Sequence, residues 1–417
     1  MRAALLLLLL PASVLARTLV APTWQLSTAV ATLGAIEKRS GARPLDLLED
    51  MFDEESGLCS EGVWHNSWFG VGKILASRQL RQLQDADGAD RLVASAKTLG
   101  DSLYSMSFDG SGFQRRVDSD IWQSADAAAE AMAAAGENGA FYQPDAGHRC
   151  GSSAAAVILY SMLAEEAKRA ELGEASATAR LVEVADAFVG EFFDTKACKF
   201  RWAVPTPDGA TPYFRAVDQA MGALACLRLA RHGHKLASSR AMASCAADSL
   251  LQEFGYSLFS TEGQPPGAYL GHIAARNSWH DSIACFGLLA TGCLGVGGET
   301  PAGLVRAMAD SYRSESGQIM HVPRELHTGG ADDEVAYSST QAMWGAVVRA
   351  ADLSNAKAEA VGGADVPAVR AYFESAVHAD GLLPVGIPHN DGRLWANTEF
   401  AAFLLLDRSD FGPATPS

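Results

Sequence analysis

The sequence is short of positive charge. Its 417 residues hold 33 Lys and Arg against 49 Asp and Glu, a formal net charge of −16. Polyanions repel such a chain, and no basic stripe compensates, so nucleic acid and anionic membrane surfaces are excluded as non-specific partners. Long apolar runs are also lacking. The run Ala3–Leu10 falls short of the roughly 20 residues a bilayer span needs. Cysteine is sparse, with seven residues and no CxxC or His/Cys spacing of a zinc site, so neither a metal nor a cofactor is expected. No Asn-x-Ser/Thr sequon occurs, which argues against N-glycans.

What is present is core material: 48% apolar and 20% charged residues, a globular composition. The first residues read as a targeting segment. Met1-Arg2 is positive, the short apolar run follows, and Val14-Leu15-Ala16 offers small residues before a cut. A signal peptide over 1–16 sends the mature protein to the endomembrane lumen or outside the cell, with no membrane partner. In such a compartment the loop cysteines Cys59, Cys150 and Cys198 can pair, whereas Cys226, Cys245, Cys285 and Cys293 fall in apolar helix patterns.

One stretch sets the pattern for the rest. Arg276–Gly292, RNSWHDSIACFGLLATG, reads as a helix with a polar first turn and an apolar body. A helix apolar on every face is buried on every face. The same sentence recurs at Trp64–Leu80, Arg149–Ala164, Arg215–Ala230, Tyr337–Ala351 and Trp395–Leu406. Amphipathic stretches alternate with these, at Leu45–Phe52, Ala89–Met106, Ala175–Phe193, Leu236–Phe254, Ala302–Tyr312 and Val366–Ala376. Six outer and six inner helices make six hairpins. Because the last element is among the most apolar, a closed ring suits better than an open solenoid, which carries polar caps. The expected fold is all-α, an (α/α)6 toroid with short β-hairpin loops at one end. The expected plan is a signal peptide (1–16), an N-terminal extension (17–43), one barrel domain (44–408) and a disordered tail (409–417).

The outer-to-inner junctions repeat too. FDEESGLC, FDGSGFQRR, FDTKACKFRW, FSTEGQPPG, YRSESGQIMHV and HADGLLPVG combine aromatic residues, acids and glycine, the chemistry of tight turns. All six loops then emerge beside the inner-helix N-termini, whose free N–H donors suit hydroxylated or anionic ligands. The junction aromatic-Asp-x-x-x-Gly followed by a Trp/Asn/Ser-rich helix start resembles the six-hairpin glycosidase superfamily. Phe52–Leu75 is similar to the opening repeat of the endo-α-1,6-mannanase family, and the N-acylglucosamine 2-epimerase-like branch shares the toroid. The resemblance implies a carbohydrate-processing role and a cleft at the loop end. The mannanase family leads an inner helix with an Asp-Asp pair, but here that position reads Val217-Asp218-Gln219-Ala220. A second Asp-Asp, Asp332-Asp333, precedes another inner helix with different flanks. The epimerase branch implies paired His bases, for which His280 with His389 or His321 stand available.

Glycoside hydrolysis takes two carboxyls roughly 5–9.5 Å apart. Asp218 and Asp281 lead as candidates because they sit at inner-helix tips; Asp120, Asp332 and Asp333 are reserves, and His280 is a candidate base. Asp218, Asp281 and Glu399 equally suit helix-dipole compensation, a role acids commonly fill in first turns. For sugar contact the loop-end aromatic and polar residues are expected: Trp64, His65, Asn66, Trp68, Trp122, Arg276, Asn277, Trp279, Tyr337, Gln341, Trp395, Asn397 and Glu399. The long interval Phe108–Gly147 is expected to fold over the cleft as a lid. The favoured reading is a secreted glycoside hydrolase acting on an oligo- or polysaccharide. A sugar 2-epimerase or isomerase is the alternative, and a non-catalytic carbohydrate-binding toroid a third.

Overall fold

The computed structural model describes residues 23–38, 58–59, 62–113, 148–171, 173–204, 214–251, 277–292, 300–314, 317–321, 335–351, 373, 382–383, 386–387 and 394–412. Six helices start where the apolar repeats start: α2 (Val63–Gln82), α4 (Cys150–Arg169), α6 (Ala216–Arg231), α8 (Ser278–Thr291), α10 (Ser338–Ala350) and α11 (Leu394–Leu405). Each packs on the next, and α11 packs on α2, which closes the ring. Their bodies are buried on all sides, as all-round apolarity requires. Small residues let them approach closely. A Cβ on Gly72 of α2 would stand 3.2 Å from the backbone nitrogen of Ala402 in α11, and one on Gly287 of α8 only 2.9 Å from the Ala220 Cβ in α6.

Outside the ring lie α3 (Ala86–Ser107), α5 (Glu174–Phe192), α7 (Leu236–Ser249) and α9 (Pro301–Tyr312), each within a few residues of an expected amphipathic stretch. Their ends follow capping chemistry. Asp85 accepts the Gly88 N–H at 2.9 Å, and Thr300 accepts the Gly303 N–H at 3.0 Å ahead of Pro301. Of the expected sixth outer helix, Phe373 is described, buried against Phe400 of α11.

Two expected boundaries need correction. The N-terminal extension is not an appendage: Thr23–Glu37 forms a helix, α1, that packs on α11 and α2 and buries Leu26, Ala29, Leu33 and Ile36. It covers the seam where the ring closes; the expected outer stretch Leu45–Phe52 lies outside the described residues. The tail is not loose from residue 409. A 3-10 turn at Arg408–Asp410 is capped by Asp407, and Phe411 is buried against Phe286. Guanidinium groups hold this turn beneath the ring: Arg228 donates to the Asp410 carbonyl at 2.5 Å, and Arg231 to the Ser409 carbonyl at 3.0 Å. Arg349 donates to the last carbonyls of α11, at Phe403, Leu404 and Leu406. Glu165 and Glu166 complete the network with Arg78, Arg81 and Arg228.

The junction turns have a shared cause. Asp109 Oδ1 accepts the N–H groups of Ser111 and Gly112, and Asp194 Oδ1 those of Lys196 and Ala197, all at 2.9–3.0 Å. Such bonds make the tight turn that the aromatic-Asp pattern signals. They bring β2 (Phe193–Asp194) against β3 (Lys199–Phe200) and bridge Phe108 to Phe113; Arg313 bridges Ile319 likewise. Neighbouring junctions are stitched by β1 (His148–Arg149) on β4 (Ala203–Val204) and β5 (Ala336–Tyr337) on β6 (Gly386–Ile387).

A second device fixes four of the junctions to their helices. The fourth residue of four inner helices is an amide whose side chain bonds both the N–H and the C=O of one junction residue. Asn66 clamps Cys59, Gln219 clamps Phe200, Gln341 clamps Ile319 and Asn397 clamps Leu383, at 2.6–3.2 Å. Each amide thereby satisfies two buried backbone groups.

One cysteine expectation changes. Cys198 pairs with Cys245 of α7, tying the β2–β3 turn to the outer layer, while Cys59 and Cys150 are buried thiols. Among the described residues no helix is long and apolar enough to cross a membrane.

Candidate functional site

At the inner-helix N-termini the ring opens into a cavity of about 380 Å³. Its lining comes from α2 (Trp64, His65), α8 and its cap (Asn277, Trp279), α10 and its lead-in (Tyr337, Ser339), α11 (Glu399) and the α9–α10 connection (His321). Helical rotation explains the selection. Trp64, Trp279 and Ser339 are each the second residue of an inner helix, and two residues further on the side chain points to the opposite side. The fourth position therefore faces the junction, where the amide clamps sit.

This rotation sorts the expected residues. Trp64, His65, Asn277, Trp279, Tyr337 and Glu399 line the cavity. Asn66, Gln341 and Asn397 do not contact ligand space: they are clamps. Trp68 is buried against Phe403 and belongs to the ring's packing. Asp281 is a fourth residue too, and it is corrected in the same way. Its Oδ2 accepts the Tyr312 hydroxyl of α9 at 2.5 Å, so it braces the outer helix instead of leading the mouth. Asp120, Trp122, Arg276, Asp332, Asp333 and His389 lie outside the described residues, as do residues 114–147 of the expected lid Phe108–Gly147 and the Trp395 side chain.

Glu399 holds the centre. Its Oε1 accepts the Trp64 indole N–H at 2.6 Å and its Oε2 the Trp279 indole N–H at 3.0 Å; His65 Nε2 stands 3.4 Å from Oε1. The two indoles touch edge to face, with centroids 5.3 Å apart. Since α2 and α8 are three places apart in the ring, this contact bridges the mouth from side to side. Both tryptophans spend their N–H on the carboxylate and offer ring carbon to the cavity, a surface that suits sugar C–H groups.

Behind Trp64 lies Asp218. A Cβ on Gly151, second residue of α4, would come 3.4 Å from the Trp64 ring and 3.6 Å from Asp218 Oδ1. Asp218 is fully buried and gripped by Arg215, with Nε–Oδ2 2.6 Å and Nη2–Oδ1 3.1 Å. Burial raises its pKa, opposed by the Arg215 and Arg149 guanidinium groups and by a bond from the Gly151 N–H. Arg149 and Arg215 both lie over the Trp202 ring, at 4.2 and 5.0 Å. The expected catalytic pair is thus divided: Asp218 is held in an ion pair, and Asp281 is turned outward.

The histidines were the weaker sequence candidates and are the better-placed ones. His280 accepts no role as partner of Asp281, its chain neighbour. Asn277 caps α8 through the His280 N–H at 2.9 Å and bonds His280 Nδ1 at 3.0 Å. Burial drives the His280 pKa well below the usual value, and the positive charges of Arg215 and His321 add to this. The ring is neutral at pH 7. Sequence reasoning missed Ser339 altogether; its place as second residue of an inner helix, level with Trp64 and Trp279, was the available signal. No group of three or more His, Cys, Asp or Glu among the described residues could hold a metal ion.

No family model matches the sequence, and no curated protein matches it. Solved structures do match in shape. A D-mannose isomerase aligns with TM-score 0.58 at 12% identity, covering 92% of this chain and 97% of its own. A polysaccharide lyase aligns with TM-score 0.49 at 12% identity over 91% and 96%. A family 76 glycoside hydrolase from a bovine Bacteroides thetaiotaomicron strain gives 0.39 at 10% identity over 91% and 76%. The first likeness shows that the fold is the (α/α)6 toroid; the other two add no argument to it.

Proposed function

We propose that this protein is a carbohydrate-active enzyme that moves a proton on a small sugar, in the manner of an aldose–ketose isomerase or 2-epimerase. The observation that carries the reading is the presence of two histidines, His65 and His321, in the lining of one cavity, with Glu399 beside His65. A proton shift along a sugar's first two carbons needs one group to take the C2 proton and another to return it, and imidazoles are suited to both near neutral pH. A volume of about 380 Å³ is at the small end of ligand pockets, roughly 300–1,000 Å³, which favours a mono- or disaccharide over a threaded polymer. The D-mannose isomerase of the same fold supports this class by analogy of architecture alone.

Glycoside hydrolysis, the reading the sequence favours, needs a second working carboxyl near Glu399. Asp218 is engaged by Arg215 and Asp281 by Tyr312, which weighs against it. Secretion remains part of the proposal: the leader expected at 1–16 lies outside the described residues, and the Cys198–Cys245 disulfide supports an oxidising compartment.

The test is exchange of the C2 proton. The protein is incubated in D2O with a panel of aldoses and ketoses and followed by NMR. Deuterium at C2, with a falling rate of ~100-fold or more in His321→Asn or His65→Asn, is the expected result. Release of reducing ends from a polysaccharide with no C2 exchange on any sugar overturns the reading in favour of hydrolysis.

A further inference from the structure

The cavity carries two polar groups, Ser339 and Glu399, with hydrogen-bonding capacity still open. Ser339 Oγ is buried, with its residue 1% exposed, has no hydrogen-bond partner, and lines the cavity. A buried hydroxyl left unpaired costs free energy, so its partner is expected to arrive with a ligand. Glu399, 2% exposed, is the one residue among the eight lining ones that is an Asp, Glu, Lys or Arg. Each of its oxygens accepts one indole N–H, and a carboxylate oxygen has room for a further donor. The nearby Arg215 guanidinium is committed to Asp218 by two bonds and is not aimed at Glu399. A ligand at this wall therefore meets an anion that two tryptophans hold in place, and a hydroxyl beside it on the next helix of the ring.

We propose that Glu399 and Ser339 are the specificity-determining pair of the cavity: Glu399 accepts bonds from ligand hydroxyls, Ser339 completes the contact, and the site takes uncharged sugars while rejecting their carboxylate and phosphate derivatives. The inference rests on the sugar-binding reading above. A hydroxyl has a proton to donate to a fixed carboxylate, and a ligand carboxylate or phosphate has not. Like charges brought together without water between them oppose binding, whereas a hydroxyl–carboxylate bond is among the stronger hydrogen bonds.

The experiment is titration calorimetry on the full chain at pH 8, where ordinary histidines are neutral. The probes are mannose, glucose and fructose against glucuronate and mannose 6-phosphate. Wild type is expected to bind at least one neutral sugar ~10-fold or more tightly than every acidic one. Glu399→Gln should shrink that ratio to within ~3-fold, and Ser339→Ala should weaken the neutral sugar by ~5–10-fold with an unchanged melting temperature. Equal binding of neutral and acidic sugars by wild type overturns the proposal and leaves the sugar-handling function standing. The wild-type ratio decides the question even where the Glu399→Gln protein fails to fold. Binding of no sugar by wild type overturns the function, and this inference with it.

Discussion

Replacing Gln219 with leucine tests whether the amide clamps hold the mouth together. Gln219 and Phe200 are both fully buried. The Gln219 side chain accepts the Phe200 N–H at 2.8 Å, donates to the Phe200 carbonyl at 2.7 Å and reaches the Arg215 carbonyl at 3.3 Å. Leucine fills a similar volume and satisfies none of these groups. Each buried polar group left unpaired costs about 1–3 kcal/mol. Two backbone groups lose their main partner, and the added apolar surface offsets about 1 kcal/mol of that. A net destabilisation of about 3 kcal/mol is expected. Unfolding entropy grows with length, so in a chain of 417 residues this shifts the melting point by only about 3 °C. Hydrogen exchange is the sharper assay. The β2–β3 peptide, residues 193–201, should exchange about 100-fold faster, while the body of α6 keeps its protection. Unchanged exchange in that peptide with a melting point within about 1 °C of wild type would refute the reasoning.

Three further outcomes follow from the same structure. Tyr312→Phe should lose about 2 kcal/mol of stability, the usual range for a bond to a buried carboxylate, with sugar binding unchanged; loss of turnover in Asp281→Asn at full wild-type stability would instead restore Asp281 to the chemistry. Burial alone would raise the Glu165 pKa, but Arg228, Arg78 and Arg231 hold it down to about 2. Its folded pKa lies below its unfolded one, so its contribution of about 3 kcal/mol is present above pH 4.5 and fades as pH falls toward 2. Thermal melts should show the gap between wild type and Glu165→Gln closing over that window; a constant gap would contradict the sign. Replacing Cys198 and Cys245 together with serine opens a loop whose ends are 47 residues apart, which costs about 4 kcal/mol in the chain-entropy estimate. Differential scanning calorimetry checks it, and equal melting points would show that the reduced turn is held by its neighbours alone.

The inner ring was legible because burial on all faces leaves a plain mark, an uncharged helix such as Ile283–Leu289. Its mouth was legible as a level, since polar tips repeat there. The direction each tip residue faces was not. Asp218, Asp281 and Glu399 look alike as acids near a helix start, and only the register of the helix against its junction separates them. Asn66 and Asn397 read as sugar ligands because an amide near a mouth suits either a hydroxyl or a backbone; the clamp becomes visible once the junction residue is seen beside it. Thr23–Glu37 was passed over because it adjoins the leader and carries little charge to mark a wet face. His321 was named without a motif, since a histidine in a connection has no period to place it.

The seam of the ring has a consequence for how the protein is made. The strand of contacts that closes the circle joins α11, synthesised late, to α1 and α2, synthesised more than 300 residues earlier. During translation five inner helices emerge from the ribosome as an open arc whose two flanks expose apolar surface. Only after the codons for Leu394–Phe411 have been read can the arc become a circle and the turn at Arg408 latch beneath it. Ribosome stalling or a premature stop shortly before that point would therefore release a nascent product that carries five inner helices and is still unable to shield its interior.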